Sequence, residues 1–384
     1  MIQHLLDYGT LRLIWWGLLG ILLIGFAVSD GFDMGVGALL PFVAKTDTER
    51  RVAINTVGPV WEGNQVWFIL GGGAIFAAWP ALYALSFSGF YLAMFLVLFA
   101  LILRPVGFKY RSKRTSVAWR RNWDWALFVG GAVPALIFGV AVGNALQGVP
   151  FHFTDDLRPI YEGTLFGLLN PLALYCGLVS LAMLVMHGAA WLGFKAEGPV
   201  ADRAAAFGAK AALITAVLFA GGGVLIWLGA FGGYQVTSTI AWDGPSNPLG
   251  KTVAINSSAW LQNFRSMPWL AVVPLLGIVA PLLAAAGFGA RRSGLTFLAS
   301  KLGIACVIAT VGLSMFPIIL PSSTSPNDSL AVFDASSSHA TLRNMLIATV
   351  VFLPIVLAYT AWVYKVLWGK VSATTIEKAG SSVY

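Results

Sequence analysis

Charged side chains are scarce in this sequence of 384 residues, at 10% of the total against about 25% in soluble domains. Hydrophobic residues make up 58%, so the composition excludes a soluble globular protein. Cysteine is also scarce. Cys176 and Cys306 both lie within apolar runs and far from any metal-ligand spacing, so we expect two buried thiols, no disulfide and no metal site.

Long apolar runs account for most of the chain. A backbone in lipid must satisfy its own hydrogen bonds, and these runs lack the alternating period of barrel strands, so each run is predicted to be a helix. With about 20 residues per crossing, the sequence predicts an all-α integral membrane protein that forms a single polytopic domain over residues 1–384. The nine predicted spans are 11–43, 57–78, 81–103, 123–146, 163–191, 205–231, 267–288, 295–320 and 341–368.

The first of these runs is longer than one crossing needs. Glycine loosens a helix, and Gly31, Gly35 and Gly37 lie in the second half of the run. We therefore expect this span to tilt, to protrude or to break near these glycines.

Lysine and arginine set the predicted orientation. Most of the 24 basic residues fall in the loops that follow the first, third, fifth and seventh spans and in the C-terminal tail. Positively charged loops face the cytoplasm, so the N-terminus is expected outside and the C-terminus in the cytoplasm. The same bias explains the formal net charge of +8, and no nucleic-acid partner is expected.

Three acidic residues lie inside predicted spans. Asp30 and Asp33 are three residues apart, which places them on one helical face. Glu62 follows in the second span, about 7 to 8 Å from its cytoplasmic end. Carboxylates within a membrane are costly and often serve proton transfer, so the three are candidates for a proton path. The alternative is that each acid caps a broken helix or pairs with a basic residue such as Arg104.

A polar string surrounds Glu62. Asn64 and Gln65 follow it in the sequence, and both are candidate supporting groups of the path, together with Arg104. Trp61 and Trp67 flank the string and are candidates for packing against an isoprenoid tail or a partner helix. Membrane-interface or core packing is the alternative for each tryptophan.

The four histidines are poorly placed for haem ligation. His4, His152, His187 and His339 share no helix face, and His187 alone falls at the inner end of a span, where an axial ligand would be needed. We expect no haem ligand and no catalytic residue in this chain.

Five short strings are distributed along the chain. They are Ile24 to Gly35, Trp61 to Trp67, Arg104 to Arg111, Gly143 to Phe151, and Met315-Phe316-Pro317 followed by Pro321-Ser322-Ser323. Each string is modestly specific by itself, but together, by their order and coverage, they strongly resemble subunit II of the bacterial cytochrome bd-type quinol oxidases.

The resemblance implies a partner, subunit I, that holds haem b, haem d and the quinol site, in a complex that reduces oxygen to water. It implies two four-helix bundles plus one peripheral helix, a location in the bacterial cytoplasmic (inner) membrane, and a scaffolding role beside a cytoplasmic proton path. A structural quinone and small single-helix accessory subunits are further expected partners.

By motif, Glu62 is the acid of the family's Trp-acid-Gly-Asn pattern, and Asp30 belongs to the acid motif of the first helix. The family pattern has Asp at the position of Glu62. The extra methylene keeps the charge and displaces it by about one bond length.

Two other classes of function stay open at this point. A proton-coupled secondary transporter also has many spans and acids at the midplane, but such proteins usually show inverted repeats, which are not evident in the sequence. A purely structural partner subunit without any role in proton transfer is the second alternative.

Overall fold

The chain is described by a computed structural model covering residues 6–379, and most of it is helical. Within these residues the helices are α1 (Tyr8–Val43), α2 (Asp47–Val57), α3 (Trp61–Ala78), α4 (Pro80–Gly89), α5 (Tyr91–Tyr110), α6 (Val117–Gln147), α7 (Pro171–Lys195), α8 (Pro199–Trp227), α9 (Gln262–Ser266), α10 (Val272–Gly289), α11 (Ser293–Met315), α12 (His339–Val366) and α13 (Ala373–Ala379).

Over residues 6–379, eight helices are long and apolar enough to cross a membrane. They are α1, α5, α6, α7, α8, α10, α11 and α12, and each overlaps one predicted span. The remaining predicted span, 57–78, corresponds to α3, an 18-residue helix that is not among the eight. The all-α membrane fold is therefore confirmed.

Several predicted boundaries differ from the helices. The span predicted over 81–103 is divided, because α4 ends at Gly89 and α5 begins at Tyr91. The span predicted from residue 163 begins at Pro171, where Asn170 accepts a hydrogen bond from the amide of Ala173 and caps the helix. The first helix is continuous from Tyr8 to Val43, so it does not break at its glycines.

Helix packing divides the membrane region into two bundles and one outlying helix. In the first bundle α1 packs on α3 and α6, and α6 packs on α5. In the second bundle α7 and α11 pack on each other, and α8 and α10 complete the group. The last long helix, α12, contacts α1 and α3 and leaves most of its surface exposed. This arrangement agrees with two four-helix bundles and a peripheral helix.

Close contacts along α1 join the two bundles. A Cβ atom built at Gly35 would lie 2.0 Å from the carbonyl oxygen of Leu184 and 2.8 Å from the amide nitrogen of Gly188, both on α7. One at Gly131 on α6 would lie 2.3 Å from the carbonyl oxygen of Met34. Glycine at these positions lets three backbones approach each other, which places α1 at the centre of the molecule.

The two ends of the long helices carry different structures. At one end, three short antiparallel hairpins cover the bundles: β1 (Phe151–Phe153) with β2 (Pro159–Tyr161), β3 (Gly233–Val236) with β4 (Val253–Asn256), and β5 (Ile318–Leu320) with β6 (Leu330–Ala331). The start of α1 lies at this end, where Tyr8 Oη donates to the carbonyl of Ser337 at 2.6 Å. We call it the hairpin face.

The opposite end, which we call the basic face, holds α2, the turn between α5 and α6, and α13. The C-terminal segment is fixed there, because Lys195 Nζ donates to the carbonyls of Leu367 at 2.7 Å and Gly369 at 2.6 Å. The described residues therefore begin at one face and end at the other.

Candidate functional site

A buried ion pair lies between α1 and α5. The guanidinium of Arg104 donates from Nη2 to Asp30 Oδ1 at 2.5 Å and from Nη1 to Asp30 Oδ2 at 3.0 Å. Asp30 is 0% exposed and Arg104 is 1% exposed. This two-pronged geometry is the one that best compensates the loss of water around both charges.

Asp33 lies one helical turn further along α1 and has weaker partners. Its Oδ2 is 3.8 Å from Arg104 Nη2 and accepts a hydrogen bond from Asn64 Nδ2 at 2.8 Å. The other oxygen, Oδ1, is buried without a hydrogen-bond partner among residues 6–379. The i, i+3 spacing thus brings both acids to one site, as predicted, but gives them unequal environments.

A fourth helix reaches the same site. Tyr364 on α12 donates its hydroxyl to Asn64 Oδ1 at 2.7 Å. Asn64 on α3 therefore bridges Tyr364 and Asp33, and this bridge joins the peripheral helix to the first bundle. We call the group formed by Asp30, Asp33, Arg104, Asn64 and Tyr364 the acid cluster.

The acid cluster contains two carboxylates and one guanidinium. Because Asp30 occupies both prongs of Arg104, the second carboxylate has no cation of its own within hydrogen-bond distance. A proton on Asp33 would balance the charge of the cluster and supply a donor for the neighbouring groups. Asp33 is therefore the member of the cluster best suited to carry a proton.

Glu62 lies outside this cluster. It is two residues from Asn64 on α3, so the two side chains point to different sides of the helix, Asn64 inward and Glu62 outward. The Glu62 side chain is 68% exposed, and its Oε1 is 3.8 Å from Lys109 Nζ on α5. The structure thus brings two of the three predicted acids together and leaves the third on the surface, with Gln65 half-buried beside it.

The two flanking tryptophans have partners within the chain. Trp61 is 6% exposed, and its ring centroid lies 5.8 Å from that of Phe108. Trp67 is partly buried, and a Cβ built at Gly25 would lie 2.9 Å from its ring. Packing inside the first bundle accounts for both contacts, and the proposed role in packing a quinone tail stays a prediction.

The histidine at the inner end of α7 is held by two hydrogen bonds. His187 is fully buried, with Nδ1 2.8 Å from Ser300 Oγ and Nε2 2.9 Å from the carbonyl oxygen of Val28. With both nitrogens engaged, this side chain does not fit an axial haem ligand. Of the others, His4 lies outside the described residues, while His152 and His339 belong to the hairpin face.

Two contributors to the site were missed in the sequence. Tyr364 is separated from Asn64 by 300 residues, and nothing in its local sequence marks it as a partner. Lys109 lies in the string Arg104 to Arg111, but its contact with Glu62 depends on how α3 and α5 are rotated.

Comparison with known proteins identifies the family. The model of cytochrome bd terminal oxidase subunit II matches residues 11–367. The chain is 53% identical over 380 residues to the probable cytochrome oxidase subunit 2 of Haemophilus influenzae, with 99% of this chain and 100% of that protein covered. It is 49% identical, with the same coverage, to the cytochrome bd-I ubiquinol oxidase subunit 2 of Escherichia coli K12. The chain belongs to the cytochrome bd terminal oxidase subunit II family.

More distant relatives agree with this assignment. Identity is 30% over 363 residues to the cytochrome bd ubiquinol oxidase subunit 2 of Bacillus subtilis, with 94% of this chain and 97% of that protein covered. A chain of the solved bd oxidase of Geobacillus thermodenitrificans shares the fold at a TM-score of 0.67 and 16% identity, with 93% of this chain and 98% of that chain covered. Together with its apolar helices, the relatives identify a multi-pass protein of the bacterial cytoplasmic (inner) membrane.

Proposed function

We propose that this chain is the subunit II of a quinol oxidase that reduces oxygen to water, in which it supports a haem-bearing subunit I and contributes to proton uptake from the cytoplasm. The family and its ubiquinol oxidase relatives support the oxidase role. Haems b and d in the partner would supply the electron transfer and the oxygen chemistry, since His187 of this chain is engaged elsewhere.

The acid cluster is the observation that carries the proton proposal. Proton movement through a bilayer needs titratable groups or waters at hydrogen-bond spacing. Asp33, Asn64 and Tyr364 lie in continuous hydrogen-bond contact. Asp33 also keeps one oxygen free of any hydrogen bond among the described residues, which is where a water molecule or a proton would be received.

Glu62 is proposed as the surface entry to this route. It lies near the basic end of α3, beside Lys109 and next to exposed apolar residues such as Val66 and Ile69. An apolar surface that contains one carboxylate suits a subunit interface better than a lipid boundary. We therefore propose that subunit I covers this surface and that water at the boundary joins Glu62 to the acid cluster.

A purely structural role is the second candidate, and the Asp30–Arg104 pair favours it. Both charges are buried and well paired, so this pair resembles a structural contact between α1 and α5 more than a proton carrier. The two candidates differ in what they predict for Glu62, which has no comparable structural contact.

The experiment compares Glu62→Gln with Glu197→Gln in the purified complex. Glu197 is a matched control because it is also an exposed acid near the basic face, 54% exposed and 3.9 Å from Lys370, but lies on the second bundle. We expect Glu62→Gln to slow oxygen consumption by about tenfold or more, as loss of a proton-transfer group does, with the haem spectrum unchanged. Glu197→Gln should retain full turnover.

Unchanged turnover in Glu62→Gln would overturn the entry role of Glu62. Loss of the haem spectrum in the same variant would instead indicate that Glu62 supports the partner structurally. Aspartate is the residue of the family pattern at this position. Wild-type turnover in Glu62→Asp would show that the charge, rather than the length of the side chain, is required.

A further inference from the structure

The turn between α5 and α6 carries an excess of positive charge at the basic face. The acids in contact with this turn are already neutralised. Asp124 accepts from Arg111 at 2.5 Å and from Arg50 at 2.8 Å, and Asp47 accepts from Arg111 at 3.0 Å and from Arg120 at 2.7 Å. Each carboxylate is thus shared by two guanidinium groups.

Three cations of this turn and of the start of α6 have no acidic partner in residues 6–379. Lys113, Arg114 and Arg121 are all exposed, and none lies within 4.0 Å of a carboxylate of the described chain. Arg114 instead lies over the ring of Trp119, 4.8 Å from its centroid. Three unpaired cations within nine residues concentrate positive charge at this end of α6.

The start of α6 adds to this preference. The first turn of α6 contains no acid, although acids are favoured there by the helix dipole. Arg120 and Arg121 follow directly, in positions where the positive end of the dipole disfavours cations. An anion beside this turn would be attracted by both the dipole and the unpaired side chains.

The depth of the turn in the membrane identifies the kind of anion. Trp119, Trp123 and Trp125 follow one another along the first three turns of α6, as in an aromatic belt at the headgroup level. Val117 is 80% exposed and Trp125 is 49% exposed. A charged group of the ligand would therefore lie beside the exposed apolar surface of α6 at Val117 and Trp125.

We propose that Lys113, Arg114 and Arg121 bind the phosphate group of an anionic phospholipid in the adjoining leaflet. The acyl chains lie along the exposed surface of α6 at Val117 and Trp125. Lys and Arg near a membrane surface attract anionic lipids, and the indoles fix the depth at which they do so. The proposal is independent of proton transfer, since lipid binding is measured without turnover.

The test is a titration of the purified, delipidated complex with phosphatidylglycerol or phosphatidylcholine, read by native mass spectrometry. Wild type is expected to bind phosphatidylglycerol in preference to phosphatidylcholine. The triple variant Lys113→Gln, Arg114→Gln, Arg121→Gln should bind phosphatidylglycerol at least about tenfold more weakly, because three lipid-facing charges are removed. Its binding of phosphatidylcholine should not change.

The matched control removes three exposed lysines elsewhere on the same face, in the variant Lys45→Gln, Lys370→Gln, Lys378→Gln. Equal loss of phosphatidylglycerol in both triple variants would overturn the proposal, because general attraction would then suffice. Displacement of the lipid by millimolar inorganic phosphate would also overturn it, since the site would then be one for a free anion. If the triple variant fails to assemble, Arg121→Gln alone must still weaken binding by several-fold, or the proposal is wrong.

Discussion

Asp30 and Asp33 lie one turn apart on α1 and differ in what their removal would leave behind. Asp30→Asn removes the carboxylate that accepts both hydrogen bonds of the buried Arg104 and leaves only Asp33 at 3.8 Å, whereas Asp33→Asn leaves the Asp30–Arg104 pair intact. Removing one partner of a buried ion pair costs about 3 to 5 kcal/mol. We expect Asp30→Asn to lower the yield and the melting temperature of the complex far more than Asp33→Asn, as measured by thermal unfolding in detergent.

The converse result would reassign the two acids. If Asp33→Asn were the less stable variant, Asp33 would be the structural partner of Arg104, and the proposed proton carrier would have to be Asp30. Arg104→Gln serves as the internal reference, because it should resemble Asp30→Asn in yield.

The sequence predicted the grouping of Asp30, Asp33 and Arg104 better than it predicted the rest of the site. The three-residue spacing places both aspartates on one face of any helix, and a buried acid needs a cation, which made Arg104 a reasonable partner. The outward direction of Glu62 was not predictable, because α3 is apolar on nearly all sides and its rotation is decided by packing against α1. Tyr364 depends in the same way on the docking of α12.

At the start of α1, Asp7 gives a prediction for pH. Hydrogen bonds from the backbone and hydroxyl of Thr10 and from Trp242 Nε1 lower the pKa of Asp7 from 3.8 to about 2. An acid with a lowered pKa stabilises the fold above its unfolded pKa, and this contribution is lost as the pH falls through the folded value.

We compare wild type with Asp7→Asn, which keeps an N-cap side chain but removes the charge. The difference in melting temperature should be constant above about pH 5 and shrink as the pH falls from about 4 towards 2. A difference that does not depend on pH over this range would contradict the role of the charge.

At the scale of helices, the contact between α1 and α7 depends on a position that has no room for a side chain. Gly35→Ala would place a methyl group 2.0 Å from a backbone carbonyl oxygen of α7, and a backbone atom cannot move aside as a flexible side chain can. We expect a loss of about 1 to 3 kcal/mol, typical of overpacking, or more. The loss of stability is measured by thermal unfolding of the complex.

Gly17→Ala is the matched control on the same helix. A Cβ at Gly17 meets nothing within 4 Å, so the substitution should be neutral or stabilise α1 by up to about 1 kcal/mol through helix propensity. Equal destabilisation by the two substitutions would show that helix α1 tolerates no alanine for reasons other than its contact with α7.

The composition of each apolar run was sufficient to predict a helix there, but it did not predict the residues at which the helix begins and ends. Runs of about 20 apolar residues are sufficient evidence for a crossing, and eight of the nine predicted spans match long apolar helices. The segment from Leu165 to Leu169 is equally apolar but forms a short turn before α7. Apolar content shows that a segment is buried in protein or lipid, and only the Asn170–Pro171 pair marked the true start of the helix.

At the scale of the whole molecule, the unequal distribution of charge between the two faces has a directional consequence. In the proposed route, protons from the cytoplasm enter at the face where Glu62 and Lys109 lie, and this is also the end that carries α2 and the arginine-rich turn. The proton proposal therefore requires the basic face to be cytoplasmic. Only the positive-inside rule indicates this orientation, so it needs a direct test.

The test labels single cysteines with a membrane-impermeant maleimide in a background in which Cys176 and Cys306 are replaced by alanine. Lys45→Cys reports on the basic face and Asp156→Cys on the hairpin face, and both side chains are exposed. In intact spheroplasts Asp156→Cys should react at once, whereas Lys45→Cys should react only after the membrane is permeabilised. The reverse pattern would place Glu62 at the outer side, and Glu62 could then not be the entry for protons taken up from the cytoplasm.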